Sequence, residues 1–125
     1  MTFDATFAID GWDEAPVDDR TPKITNAHVQ KTFSGDITGT SQMEYVMSYA
    51  EDGTASVVGL ERLTCEIGDR EGTIVIRHVG GFDGGAATAD LLVVPEAGSG
   101  DFEGVSGNGT MKADPSGSMT LDLGG

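Results

Sequence analysis

Three residues have side chains and spacing suited to moving a proton: Tyr45, Glu61 and His78. They fall on three successive segments with strand-like alternation. The first two segments form the stretch MEYVMSYAEDGTASVVGLERL, from Met43 to Leu63. Met43, Tyr45, Met47 and Tyr49 share one face of the first segment. Val57, Gly59, Glu61, Leu63 and Cys65 share one face of the second. A carboxylate on an otherwise apolar face loses hydration, which raises its pKa. Such a group can act as a general acid or base, or stabilise a developing cation. Arg62 and Glu66 give this segment charge on its other face, so an outward Glu61 is the competing reading. Strand parity favours the inward one, because Arg62 aligns with Ser56, Thr64 and Glu66 instead.

A hairpin centred on Asp52-Gly53 sets Tyr45 opposite Gly59 and Met43 opposite Glu61, with Tyr45 a diagonal neighbour of Glu61. A phenol there can donate to the carboxylate or to a substrate carbonyl. The commoner role is a core tyrosine with its hydroxyl satisfied. Gly59 opposite an aromatic makes room for the ring. A turn over Gly68 to Glu71 carries His78 across from Glu61, giving an acid/base pair. A one-residue slip of register breaks that pair and leaves a core histidine, so both readings stand. His28 lies on a polar face and reads as surface or barrel mouth. Around the catalytic candidates, Met43, Met47, Tyr49, Gly59, Leu63, Cys65 and Ile76 are the expected ligand-lining positions. Methionines there form an adaptable pocket or simply fill the core, with core packing the better-founded choice.

Metal chemistry is not expected. His28, Cys65 and His78 lack ligand spacing, and neither Asp83 nor Asp101-Phe102-Glu103 matches a calcium loop. Cys65 has no neighbouring base to activate it and reads as a small buried hydrophobe. The glycine-rich runs at Gly98 to Gly100 and Gly104 to Gly109 precede no helix, so they are not phosphate cradles. No cofactor is expected.

These residues need a scaffold, and composition bounds it. The chain has 125 residues, which suits a single domain over 1–125. Its 19 glycines favour turns and bulges over long helices. With 21 acidic against 7 basic residues, the net charge is -14. Such a surface repels phosphate backbones and anionic lipids, so neither nucleic acid nor membrane is an expected partner. The lone Cys65 forms no internal disulfide. MTFDATFAID does not have the form of a signal peptide, and no apolar run approaches the ~18 residues of a membrane span. A cytoplasmic protein is expected.

Along the chain, Thr2 to Gly11 alternates as a strand, and Ala15 to Lys23 reads as a polar loop. Ile24 to Phe33 is a second strand, with Ala27, Val29 and Phe33 on one face. Extended structure resumes at Ile37. Ser41 to Ala50 is ambiguous, because Met43, Val46, Met47 and Ala50 also fit a helical stripe. Tyr45, Val46 and Tyr49 together with the following hairpin favour a strand. Thr54 to Ile67, Thr73 to Phe82 and Ala86 to Val94 continue the pattern. Ala97 to Gly109 is a connection with an apolar knot at Phe102 and Val105. Two short strands, Gly109 to Ala113 and Ser118 to Leu123, surround a turn over Asp114 to Gly117. Short turns without a crossover helix predict an all-β, antiparallel closed barrel of about eight strands, wide enough inside for side chains or one small ligand.

Several blocks in order carry a resemblance: Trp12-Asp13-Glu14, KTFSGD at Lys31 to Asp36, the Met43 to Leu63 stretch, GGFDGG at Gly80 to Gly85, and VVPEAGSGDFEGVSGNG at Val93 to Gly109. The whole chain resembles a bacterial domain-of-unknown-function family with an allene oxide cyclase-like barrel. Leu91-Leu92 stand where members of that family often carry a tryptophan. The resemblance implies the barrel and no general activity. By analogy of fold alone, it suggests a cofactor-independent cyclase or isomerase acting on a small apolar molecule held inside. Glu61 and Tyr45 would supply polarity there, with His78 as a third group. The alternative is a non-catalytic barrel for a small hydrophobic ligand, and a third reading is a filled core with no ligand. The resemblance, together with the apolar outer face around Val58 and Leu60, implies a homo-oligomer.

Overall fold

The computed structural model describes residues 1–114 and 116–124. Its strands are β1 (Thr2–Pro16), β2 (Ile24–Gly35), β3 (Thr38–Tyr49), β4 (Ala55–Ile67), β5 (Arg70–Asp83), β6 (Ala86–Val93), β7 (Ser99–Gly100), β8 (Ser106–Asp114) and β9 (Ser116–Gly124). All pairings are antiparallel. Strands β1 to β6 pair in chain order, β6 pairs with β8, β8 with β9, and β9 returns to β1. Eight strands thus close an up-and-down barrel, and β7 adds a short ninth along β5. Closure leaves few unpaired strand edges, the usual liability of a small sheet.

Alternation builds the interior. In β3 every second residue from Ser41 to Met47 is buried. Val46 points outward, 47% exposed, and pairs with Val58. A helix would have put Val46 on the same stripe as Met43 and Met47, so the ambiguous segment is a strand. In β4, Glu61, Leu63, Cys65 and Ile67 are buried while Arg62, Thr64 and Glu66 are exposed.

Several boundaries differ from expectation, among them the start of β5, at Arg70 rather than Thr73. The strand expected to stop at Gly11 runs on to Pro16, so Ala15 and Pro16 belong to a hairpin with β2 and only the rest is loop. The register shifts between Ile9 and Gly11. This bulge changes which residues face inward: Phe7 does before it, Trp12 and Glu14 after it, opposite Val29 and Ala27. Polar composition hid the extension, since a hairpin standing beyond the barrel wall has little to bury. Toward the C-terminus, β8 begins at Ser106 rather than Gly109 and β9 at Ser116 rather than Ser118. The last expected turn includes Pro115, which lies outside the described residues; Asp114 pairs with Ser116 around it.

The two barrel ends differ. At one end the β6–β8 connection folds inward and buries Phe102 and Val105 in the main apolar cluster, with Ile37 and Ile67. At the other, the β1–β2 hairpin, the Asp52-Gly53 turn and the β5–β6 turn surround an open mouth. Among the described residues, no helix is long and apolar enough to cross a membrane.

Candidate functional site

A belt of buried polar groups crosses the barrel between its closed end and its mouth. Lys31 comes from β2, Ser41 and Tyr45 from β3, Glu61 from β4 and His78 from β5. All are almost fully buried. Lys31 has the same parity as Ala27, Val29 and Phe33, and Ser41 the same parity as Met43 and Tyr45, so the fold delivers both to the interior. Both were missed as site residues, although the alternation that placed Glu61 inside also places them there.

Glu61 is the hub. Its Oε1 accepts from His78 Nε2 at 2.9 Å, and its Oε2 from the Ser41 hydroxyl at 2.6 Å. Lys31 Nζ lies 3.6 Å from the same Oε2. Burial pushes the Glu61 carboxyl upward, but His78, Lys31 and Ser41 together outweigh it and hold the carboxyl below its ordinary value. This corrects the expectation of a raised carboxyl, which considered the apolar face and not the cation across from it. Burial lowers the proton affinity of Lys31, opposed by Glu61. Lys31 Nζ also donates to the Tyr45 hydroxyl at 3.3 Å and sits 4.6 Å from the centre of the Phe7 ring. Burial, aided by the Glu61 charge, raises the Tyr45 phenol well above its ordinary value.

His78 reaches Glu61 in a register different from the expected one. The β4–β5 turn is tighter, with Ile67 paired to Arg70, so Ile76 lies opposite Glu61 and His78 opposite Gly59. The displacement is by two positions, which preserves the face, and the longer diagonal is still spanned by the ring. Gly59 permits this. It lies between Tyr45 and His78, whose rings meet edge-on with centroids 6.0 Å apart. A Cβ at Gly59 would come within 2.8 Å of Met43 Cε and 3.0 Å of Tyr45 Cδ1.

Above the belt, toward the mouth, lies a largely apolar cavity of about 220 Å³. Phe7, Tyr45, Met47, Val57, Ala89 and Met111 form much of its wall, and Lys31 also lines it. Trp12, Tyr49 and Phe82 stand at the rim. The rim is fastened by Glu14, which accepts from Tyr49 at 2.6 Å, Thr25 at 2.7 Å and Trp12 Nε1 at 3.0 Å. Trp12 in turn packs on Tyr45, with ring centroids 5.9 Å apart.

The expected ligand-lining positions divide. Met47 and Tyr49 border the cavity, as does Tyr45. Met43, Leu63, Cys65 and Ile76 do not; they pack in the interior on the far side of the belt or against it. Gly59 is wall. Glu61 and His78 are likewise absent from the lining, sealed behind Lys31 and Tyr45. Burial raises the Cys65 thiol to about 11, which leaves it unreactive. His28 is half-buried on the outside and pairs with Glu44. No group of three or more metal-ligating side chains occurs among the described residues.

The molecule is therefore an eight-stranded up-and-down barrel, plugged at one end, with an apolar cavity seated on a buried ionic belt. The chain belongs to the family described as "Protein of unknown function (DUF3224)", whose model matches residues 3–124. A solved structure similar to it is that of a DUF3224-family protein of unknown function from Shewanella oneidensis MR-1. The two are 20% identical, with a TM-score of 0.74, over 99% of this chain and 96% of that one. At that identity the likeness speaks to the fold. No curated protein matches.

Proposed function

We propose that the barrel holds a small, largely apolar molecule in its mouth cavity. The supporting observation is the cavity itself: a concave, aromatic-rimmed space with few polar groups, which is the usual form of a small-molecule site. Titration with toluene tests it through Trp12, the only tryptophan of the chain. The expected result is a saturable change in emission that is lost in the cavity-filling variant Ala89→Phe. A linear, unsaturable change, or one that survives Ala89→Phe, overturns the reading.

A second reading, a cofactor-independent isomerase or cyclase, draws support from the belt. Simple apolar binding does not need a buried Lys31–Glu61–His78 cluster, and burying such charges costs stability. In this reading the cavity selects one reactive conformer, Tyr45 and Lys31 touch the substrate, and Glu61 and His78 position Lys31. On an identified substrate, Glu61→Gln then lowers kcat more than it changes KM. Full activity in that variant ends this reading and leaves the binding barrel.

Self-association belongs to the same proposal. Val46, Val58 and Val79 form a row across β3, β4 and β5, each about half exposed. Beside it, Leu60 stands between Glu44 and Arg77, so a two-fold arrangement sets each glutamate near the other copy's arginine. Sedimentation of Val58→Asp is expected to show a smaller species than the native chain. An unchanged sedimentation coefficient contradicts the interface.

A further inference from the structure

The polar end of the cavity holds a donor without an acceptor. Tyr45 and Lys31 both line the space, and the Tyr45 oxygen accepts from Lys31 Nζ at 3.3 Å. Among the described residues, nothing accepts the hydrogen of that hydroxyl in return. A hydroxyl that accepts from an ammonium is polarised and becomes a better donor.

Charge decides what kind of acceptor belongs there. A carboxylate only accepts, so the proton between Glu61 and His78 sits on Nε2. His78 Nδ1 is buried and has no partner. As a bare ring nitrogen it forgoes one weak bond. As a second N–H it would be half of an unsolvated cation, at far greater cost. The geometry thus places one ring proton, on Nε2, and offers a second no acceptor, while Lys31 brings its ammonium to Glu61. The ammonium and the carboxylate already cancel. An incoming carboxylate or phosphate would add an uncompensated charge to an apolar cavity, whereas a carbonyl oxygen adds only an acceptor.

We propose that the cavity selects neutral carbonyl compounds with an apolar body, and that Tyr45, backed by Lys31, donates its O–H to the carbonyl oxygen. The proposal names the ligand class for the cavity and rests on the reading that small apolar molecules enter it.

A matched series tests it by calorimetry: ethylbenzene, acetophenone and benzoate, which share a ring and differ in the head group. Acetophenone is expected to bind about tenfold more tightly than ethylbenzene, the effect of one hydrogen bond. Benzoate is expected to bind more weakly than either. In Tyr45→Phe the preference for acetophenone over ethylbenzene disappears, since the donating hydroxyl is removed. The native protein gives a second readout that needs no variant: the infrared carbonyl stretch of bound acetophenone falls below its value in hexane. Equal affinity for ethylbenzene and acetophenone, or an unshifted stretch, ends the carbonyl proposal and leaves the apolar cavity standing. Tightest binding by benzoate makes the floor an anion site and also ends it. If none of the three binds, the cavity reading fails along with the proposal.

Discussion

Glu61→Leu is expected to lower the stability of the fold by about 3–5 kcal/mol, the usual cost of removing one partner of a buried ion pair. The substitution strands the Lys31 ammonium, the His78 Nε2–H and the Ser41 hydroxyl in the barrel interior. Chemical denaturation reads the loss as a lower midpoint with an unchanged slope. Lys31→Met combined with Glu61→Leu is expected to recover most of it, because an apolar pair replaces the Lys31 and Glu61 charges. A loss below about 1 kcal/mol in the single variant would mean that the belt is solvated rather than sealed. The pH dependence has a fixed sign. The folded-state carboxyl is held below its ordinary value of 4.5, so its contribution is present above that value and is lost as pH falls through the lower one. Glu61→Gln is expected to flatten stability against pH in that acid window alone.

Phe102→Ala is expected to cost a further ~3–5 kcal/mol by an unrelated route, the emptying of a packed aromatic site. Phe102 is fully buried in the main apolar cluster at the closed end, with the Arg70 guanidinium 5.4 Å from its ring centre. Its connection is pinned to the β4–β5 turn from both sides: Asp101 N–H donates to Glu71 O, and Glu71 N–H to the Asp101 side chain, both at 2.9 Å. The plug is thus held by Asp101, through its backbone and its side chain, and filled by Phe102 with Val105. Its truncation weakens the fold while toluene affinity at the opposite end stays unchanged below the melting range. A loss below about 1 kcal/mol would show that the connection lies over the barrel end without sealing it.

Alternation made the barrel legible, because its period is two and the inner face is apolar. It placed Glu61, Tyr45 and His78 inside, and the Asp52-Gly53 turn fixed the β3–β4 register with Met43 opposite Glu61. The β4–β5 register was less legible, since the Gly68-Asp69 turn can be drawn longer without changing which residues face inward. Lys31 escaped attention because lysine inside a small barrel is rare, although its position between Val29 and Phe33 is the same signal that revealed Glu61. The cavity was legible only in part: Tyr45, Met47 and Tyr49 were expected at it and border it, whereas Phe7, Trp12 and Lys31 were not expected there. Trp12 reaches it only because the bulge near Asp10 reverses parity; Gly11 is a signal compatible with a bulge but does not by itself say that the face switches there. Which interior residues are sealed and which border open space depends on the plug at one end and the extended hairpin at the other. Neither follows from strand alternation.

The methionine methyl groups report directly on the mouth cavity. Met47 and Met111 border the cavity, while Met43 and Met119 do not. With the methionine methyls isotopically labelled, titration with acetophenone is followed by nuclear magnetic resonance. The predicted result is saturable shifts of the Met47 and Met111 signals, with Met43 and Met119 moving far less. Unmoved Met47 and Met111 signals at concentrations that saturate calorimetry would contradict the cavity as the binding site.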